Sequence, residues 1–139
     1  MQGDSKLSID FLKKFAPNSP WVLTAIQIDK KRIETRTFSP DNASDCRYWI
    51  DKYNGERNIY FHGNEVMKEM KSKAHKEDIK AAHWLHIDID PAAGQDLDEE
   101  RERALGLLTD GLPKGIPKPT VIVFSGGGYQ GFWRLKSPV

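Results

Sequence analysis

The order of segments in this chain predicts an α/β protein of the α+β kind, a mixed or antiparallel sheet with flanking helices. Three observations predict it. Residues 20–28 (PWVLTAIQI) and 33–38 (IETRTF) are rich in β-branched and aromatic side chains and flank a basic turn at Asp29–Arg32, which is the pattern of a hairpin. Residues 43–53 and 96–109 instead repeat their apolar positions at helical spacing. Later strand-like runs, 83–90 (HWLHIDID) and 120–124 (TVIVF), stand on either side of the second of those helices.

Taken in order, Ser8 is positioned to cap a short helix in which Phe11, Leu12 and Phe15 share a face. That helix stops at Ala16–Pro17, because the residue before a proline disfavours helical backbone. After the hairpin, Pro40–Asn42 breaks the chain. Cys46, Trp49, Ile50 and Tyr53 then recur at helical spacing, with Gly55 just past the end as a C-terminal stop signal. Asn58–His62 (NIYFH) reads as a short strand, and the Lys-rich stretch 64–82 as part helix and part loop. Asp96–Thr109 opens on acidic residues that complement the helix macrodipole and continues through Ala104, Leu105 and Leu108. Gly111–Pro119 ends it with prolines. A glycine-rich turn at Ser125–Tyr129 then joins the TVIVF strand to Gln130–Lys136 (QGFWRLK), and the two strands are expected to pair.

A length of 139 residues suits one domain, with 1–57 as a helix and hairpin portion and 58–139 as the portion that bears the motifs. With 38% hydrophobic and 29% charged residues, the composition excludes a wholly disordered chain. The formal net charge of +1 supplies no global basic field, so any nucleic-acid binding must come from local clusters. Cys46 is the single cysteine, which rules out an internal disulfide and a cysteine-rich zinc site and fits a reducing compartment. No apolar run has transmembrane length, and Met1–Lys6 lacks the apolar core of a secretory signal. The expected location is the cytoplasm, with no membrane partner.

The chemistry concentrates at Asp88 and Asp90. Alternation along a strand points both carboxylates the same way, about 6–7 Å apart along the chain. His86 joins them in the row, while Leu85, Ile87 and Ile89 take the opposite parity and read as the side packed on a core. Two anions on a half-buried strand repel each other and lose hydration, and a bound divalent cation relieves both penalties. Mg²⁺ suits such a pair, because it prefers hard oxygen ligands and leaves positions open for phosphate oxygens. The plainer alternative is a solvated strand end.

Two further features stand near the pair in sequence. Gly126, Gly127 and Gly128 follow Ser125 directly, and consecutive glycines are expected where a turn needs positive φ or where a ligand must approach the main chain. Exposed N–H groups in such a turn can bind phosphate, although the turn alone is more often a loose hairpin. Beyond the turn, Gln130 and Arg134 share one strand face with Phe132 and are candidates to face a ligand. The second feature is the run Lys68, Lys71, Lys73, His75, Lys76 and Lys80, which reads either as a track for nucleic-acid phosphate or as a solvated face balanced by Glu65, Glu69, Glu77 and Asp78.

Together the ordered set NIYFHGN, a basic stretch, HWLHIDIDP, an acidic helix and TVIVFSGGGYQGFWRL resembles the archaeo-eukaryotic primase superfamily, in particular the primase-polymerase domains of phage and plasmid replication proteins. The resemblance covers about residues 58–135. In that family the first motif is an acidic pair on a hydrophobic strand, matched by Asp88 and Asp90. The second is a small residue, any residue and His within a Ser-Gly-Gly-Gly stretch, and it falls on Gly128–Tyr129–Gln130 after Ser125. Gln130 stands where the family usually has His, so a neutral amide donor replaces a cationic one. The family's third motif adds a further acidic ligand from a later strand, and no segment up to Val139 matches it.

The resemblance implies a primase core with RNA-recognition-like strand topology, here its N-terminal part, preceding a helicase region in a larger protein. It implies metal-dependent nucleotidyl transfer from NTP or dNTP on a single-stranded DNA template. Asp88 and Asp90 would contribute to a two-metal Mg²⁺ or Mn²⁺ site whose third ligand lies outside this chain. Ser125, Gly126–Gly128 and Gln130 would cradle the triphosphate, Arg134 would face it from the same strand, and Lys76 and Lys80 would touch template or phosphate. By itself, then, the 139-residue chain is expected to bind metal weakly and to incorporate little nucleotide. The other readings are a non-catalytic module that binds nucleic acid or nucleotide, and a metal-dependent nuclease using the same acids.

Overall fold

Asp4, not Ser8, starts the first helix in the computed structural model, which describes residues 3–139. The Asp4 carboxylate accepts from the Lys6 N–H at 2.8 Å, so α1 (Ser5–Phe15) begins one turn earlier than expected and Ser8 lies inside it. It ends at Ala16, as the following proline requires. Strands β1 (Trp21–Gln27) and β2 (Ile33–Phe38) form the expected antiparallel hairpin. Helix α2 (Ala43–Tyr53) buries Cys46, Trp49, Ile50 and Tyr53, the four positions its periodicity marks. Strand β3 (Arg57–Phe61) then pairs with β1, giving an antiparallel sheet in the order β2-β1-β3.

Alternation along β1 divides its side chains between two cores. Trp21, Leu23 and Ala25 pack with Ile9 and Leu12 of α1 and with the buried face of α2. Val22 points the other way and packs with Val66, Met70 and Ala74. Each large apolar side chain buried in this way contributes about 1.5–3 kcal/mol. The second cluster also explains where residues 64–82 depart from expectation. They form no α-helix, but a short ribbon of β4 (Glu65–Val66) and β5 (Ile79–Ala81) with a 3₁₀ turn at Lys76–Asp78. The stretch is anchored at Met70, whose N–H donates to Thr37 Oγ1 at 2.7 Å and whose carbonyl accepts from that hydroxyl at 3.0 Å. These contacts are long-range, and helical periodicity does not register them.

Cys46 is fully buried, and burial pushes its thiol from the ordinary 9.0 up to about 12. Only the thiolate attacks alkylating reagents, so the native protein should resist iodoacetamide until it is denatured. Labelling of native protein as fast as that of free cysteine would contradict this packing of α2.

The chain divides into two compact units, one reaching to Ala81 and the other spanning Ala82–Val139. In the second, β6 (Trp84–Ile89), β7 (Val121–Phe124) and β8 (Tyr129–Arg134) form an antiparallel sheet in the order β6-β8-β7. The expected pairing of β7 with β8 is present, and β8 pairs with β6 as well, so β8 is central. Helix α3 (Leu97–Thr109) is capped by Asp96, which accepts from the N–H groups of Asp98 and Glu99 at 3.1 and 3.0 Å.

The helix lies over Gly131. A Cβ there would come within 2.8 Å of Leu108 Cδ2, so the glycine permits close packing, and Leu108 is fully buried. Gly131 pairs with Ile87, which places α3 on the face of Leu85, Ile87 and Ile89, the side expected to meet a core. The helix leaves part of β6 uncovered, however. Leu85 remains 59% exposed and Ile87 44% exposed, which corrects the expectation that this parity of β6 is buried. On the opposite face Trp84 and Phe132 are buried, with their rings edge to face at 6.4 Å.

Near the start of α3, Glu100 accepts two hydrogen bonds from Arg103, at 2.9 and 2.8 Å, and one from the Ala92 N–H at 2.8 Å. Those donors, Arg103 first, hold its carboxyl near 2 instead of the ordinary 4.5. A carboxyl depressed on folding stabilises the fold above its unfolded value, and that contribution disappears as pH falls from about 4.5 to about 2. An NMR titration should place the Glu100 midpoint near 2, and Glu100→Gln should flatten the loss of stability over that window. A midpoint in the ordinary carboxylate range would overturn the assignment.

The architecture is therefore α+β, with α-helices beside small antiparallel sheets, as the sequence predicts. Among the described residues, no helix is long and apolar enough to cross a membrane.

Candidate active site

The register of β6 against β8 determines which side chains meet. Trp84, His86 and Asp88 pair with Arg134, Phe132 and Gln130 respectively, so all six share one face. Gln130 Nε2 donates to Asp88 Oδ2 at 3.2 Å. The His86 ring stacks on Phe132 with centroids 5.4 Å apart and planes at 24°. Asp90 follows the last strand residue, Ile89, and reaches the glycine turn through its main chain. A Cβ built on Gly128 would collide with the Ile89 carbonyl oxygen and stand 3.1 Å from the Asp90 Cα. The acidic strand end and the glycine turn are thus in direct backbone contact.

The fold accounts for two of the glycines. Gly128 is required by the close approach of the chain's own β6 backbone, and Gly126 by its φ of +95°. Gly127 is exposed, and a Cβ there would meet nothing within 4 Å. Ser125 closes the turn, with its N–H donating to the Gly128 carbonyl at 3.0 Å and its hydroxyl accepting from the Gly128 N–H at 3.2 Å.

One residue that sequence reasoning missed completes the turn. Arg101 of α3 donates from Nη2 to the Gly126 carbonyl at 2.8 Å and from Nε to the Gly127 carbonyl at 3.3 Å. Its guanidinium lies 5.3 Å from the centre of the Phe124 ring and 3.6 Å from Asp98. Nothing local marks Arg101, since its partners lie 25 and 26 residues away.

The structure brings Asp88, Asp90, Ser125, Gly126, Gly127, Gly128 and Gln130 to one end of the sheet. Arg134 shares their face but sits four residues along β8 from Gln130, about 13 Å at strand rise, with its guanidinium 5.9 Å from the Trp84 ring centre. Lys76 and Lys80 belong to the first unit and already have acidic neighbours. Lys80 Nζ donates to Glu65 at 2.9 Å, and Lys76 Nζ lies 3.9 Å from Glu77.

Asp88 and Asp90 are exposed, which corrects the expectation of a half-buried pair, and the dehydration expected of one does not apply. Among the described residues, no three His, Cys, Asp or Glu side chains converge as a metal-holding group. Two exposed carboxylates two residues apart do supply hard oxygen donors, the ligand type that a divalent cation such as Mg²⁺ prefers.

No family of known proteins, no curated protein and no solved structure matches this chain.

Proposed function

We propose that this chain carries the acidic and phosphate-binding parts of a metal-dependent nucleotidyl transferase of the primase-polymerase kind, acting on a single-stranded DNA template. The observation that supports it most is the packing of the Asp90 main chain against Gly128, with Asp88 opposite Gln130, so that two carboxylates and a glycine turn share one strand end. Asp88 and Asp90 would hold Mg²⁺ or Mn²⁺, which would neutralise charge on a bound triphosphate. Gln130 steadies the Asp88 carboxylate through its amide and, lacking charge, leaves attraction of phosphate to the metal and to main-chain donors. Ser125 keeps the turn closed beside the pair.

A second reading, a module that binds nucleotide or nucleic acid without chemistry, is favoured by the same Gln130 contact, because a neutral amide already occupies one oxygen of Asp88. Calorimetric titration of the intact protein with Mn²⁺ and dNTP, together with extension of a labelled primer on single-stranded DNA, separates the readings. Transfer predicts nucleotide affinity that requires metal, and metal-dependent extension. DNA affinity indifferent to metal and dNTP would replace the transferase with the binding module. Shortening of the labelled strand would replace it with a nuclease.

A further inference from the structure

We infer that Arg101 is a positioning residue for phosphate: by holding the Gly126 and Gly127 carbonyls on the α3 side of the turn, it presents the Gly127 N–H on the side of Asp88 and Asp90. The inference deepens the transferase reading and rests on it for the identity of the ligand, a triphosphate.

Peptide geometry sets the direction of the N–H groups in the turn. None of the described peptide bonds is cis, and in a trans peptide the N–H points opposite to the C=O of the same plane. Arg101 binds the Gly126 and Gly127 carbonyls, so the N–H groups of Gly127 and Gly128 are directed away from the guanidinium. The helix that carries Arg101 covers the Gly131 and Ile87 face, and alternation puts Asp88 and Gln130 on the other. Both N–H groups therefore turn toward the carboxylate side. Gly128 spends its N–H on Ser125 Oγ at 3.2 Å, whereas the Gly127 N–H has no partner among the described residues.

The donor is also held in place. Arg101 uses two nitrogens on two carbonyls, and its position is supported by Phe124 and Asp98. Gly128 meanwhile fits against Ile89 and Asp90 so closely that the turn cannot move further toward β6. A fixed main-chain donor beside a carboxylate-held cation suits a phosphate oxygen bound to both. Free glycines would have to be ordered on binding, and Arg101 has already ordered them.

The test is binding of inorganic triphosphate in the presence of Mg²⁺, followed by NMR at the backbone amides of the intact protein. The Gly127 amide should respond most strongly within the turn, and Arg101→Met should raise Kd about tenfold while unfolding remains cooperative. Arg101→Lys, which keeps a charged donor for one carbonyl, should fall between the two, and it keeps the test readable if the Met variant does not fold. An unresponsive Gly127 amide, or wild-type Kd in either folded variant, overturns the inference. Little incorporation is expected of this chain, so the transferase reading is judged separately by calorimetry on the same protein: dNTP affinity indifferent to metal, beside an intact Gly127 response to triphosphate, would remove it and leave the Arg101 assignment standing.

Discussion

In a protein that also carries the third acidic ligand, Asp88→Asn should lower metal-dependent nucleotide incorporation by a factor on the order of a thousand while leaving the fold unchanged. The substitution keeps the shape of the side chain, and the Asn carbonyl oxygen can still accept from Gln130 Nε2. Asp88 is exposed, so no desolvation or packing term changes with it, and the stability difference should stay within about 0.5 kcal/mol. The lost quantity is negative charge at the strand end, which is what would bind a divalent ion. Asp90→Asn should behave in the same way, because its backbone stands at the same turn. Primer extension over a Mg²⁺ and Mn²⁺ series, with thermal unfolding as the control for folding, checks both variants. Undiminished extension by either one would remove the transferase assignment.

Gly128→Ala should destabilise the second unit by about 2–4 kcal/mol, at or beyond the upper end of ordinary overpacking. The new methyl group would collide with a main-chain carbonyl, that of Ile89, which cannot swing aside as a side-chain tip can. Either β6 separates from the turn or the turn opens, and both outcomes break the junction between the acidic pair and the glycines. Gly127→Ala is the matched control, because a Cβ there meets nothing within 4 Å, and its effect should stay within about 0.5 kcal/mol. Urea unfolding of the two variants measures the contrast. Equal stabilities would mean that β6 and the turn are not in contact.

Those two neighbouring glycines show how much of the site is legible from sequence. The Ser-Gly-Gly-Gly run can be recognised as a turn, but three adjacent glycines look alike until the fold distinguishes one that must pass a carbonyl from one that faces open space. The acidic pair is legible because strand alternation is local. Its exposure is not, since local alternation does not say what covers a face: α3 packs over Gly131 on the opposite side of the sheet, and Asp88 and Asp90 stay exposed. Arg101 was invisible because a guanidinium that binds carbonyls has no sequence period.

What the chain determined alone is what neighbouring residues can settle between themselves. Helix α2 with its buried Cys46, Trp49, Ile50 and Tyr53, the β1–β2 hairpin and the shared face of His86 and Asp88 on β6 are of this kind, because backbone periodicity acts over a few residues. Tertiary structure decided the rest: the non-helical path of residues 64–82 along Thr37 and Met70, the central place of β8, and the locking of the glycine turn by Arg101 and Ile89. Each joins groups far apart in sequence, and their contact free energy exists only once the chain has folded.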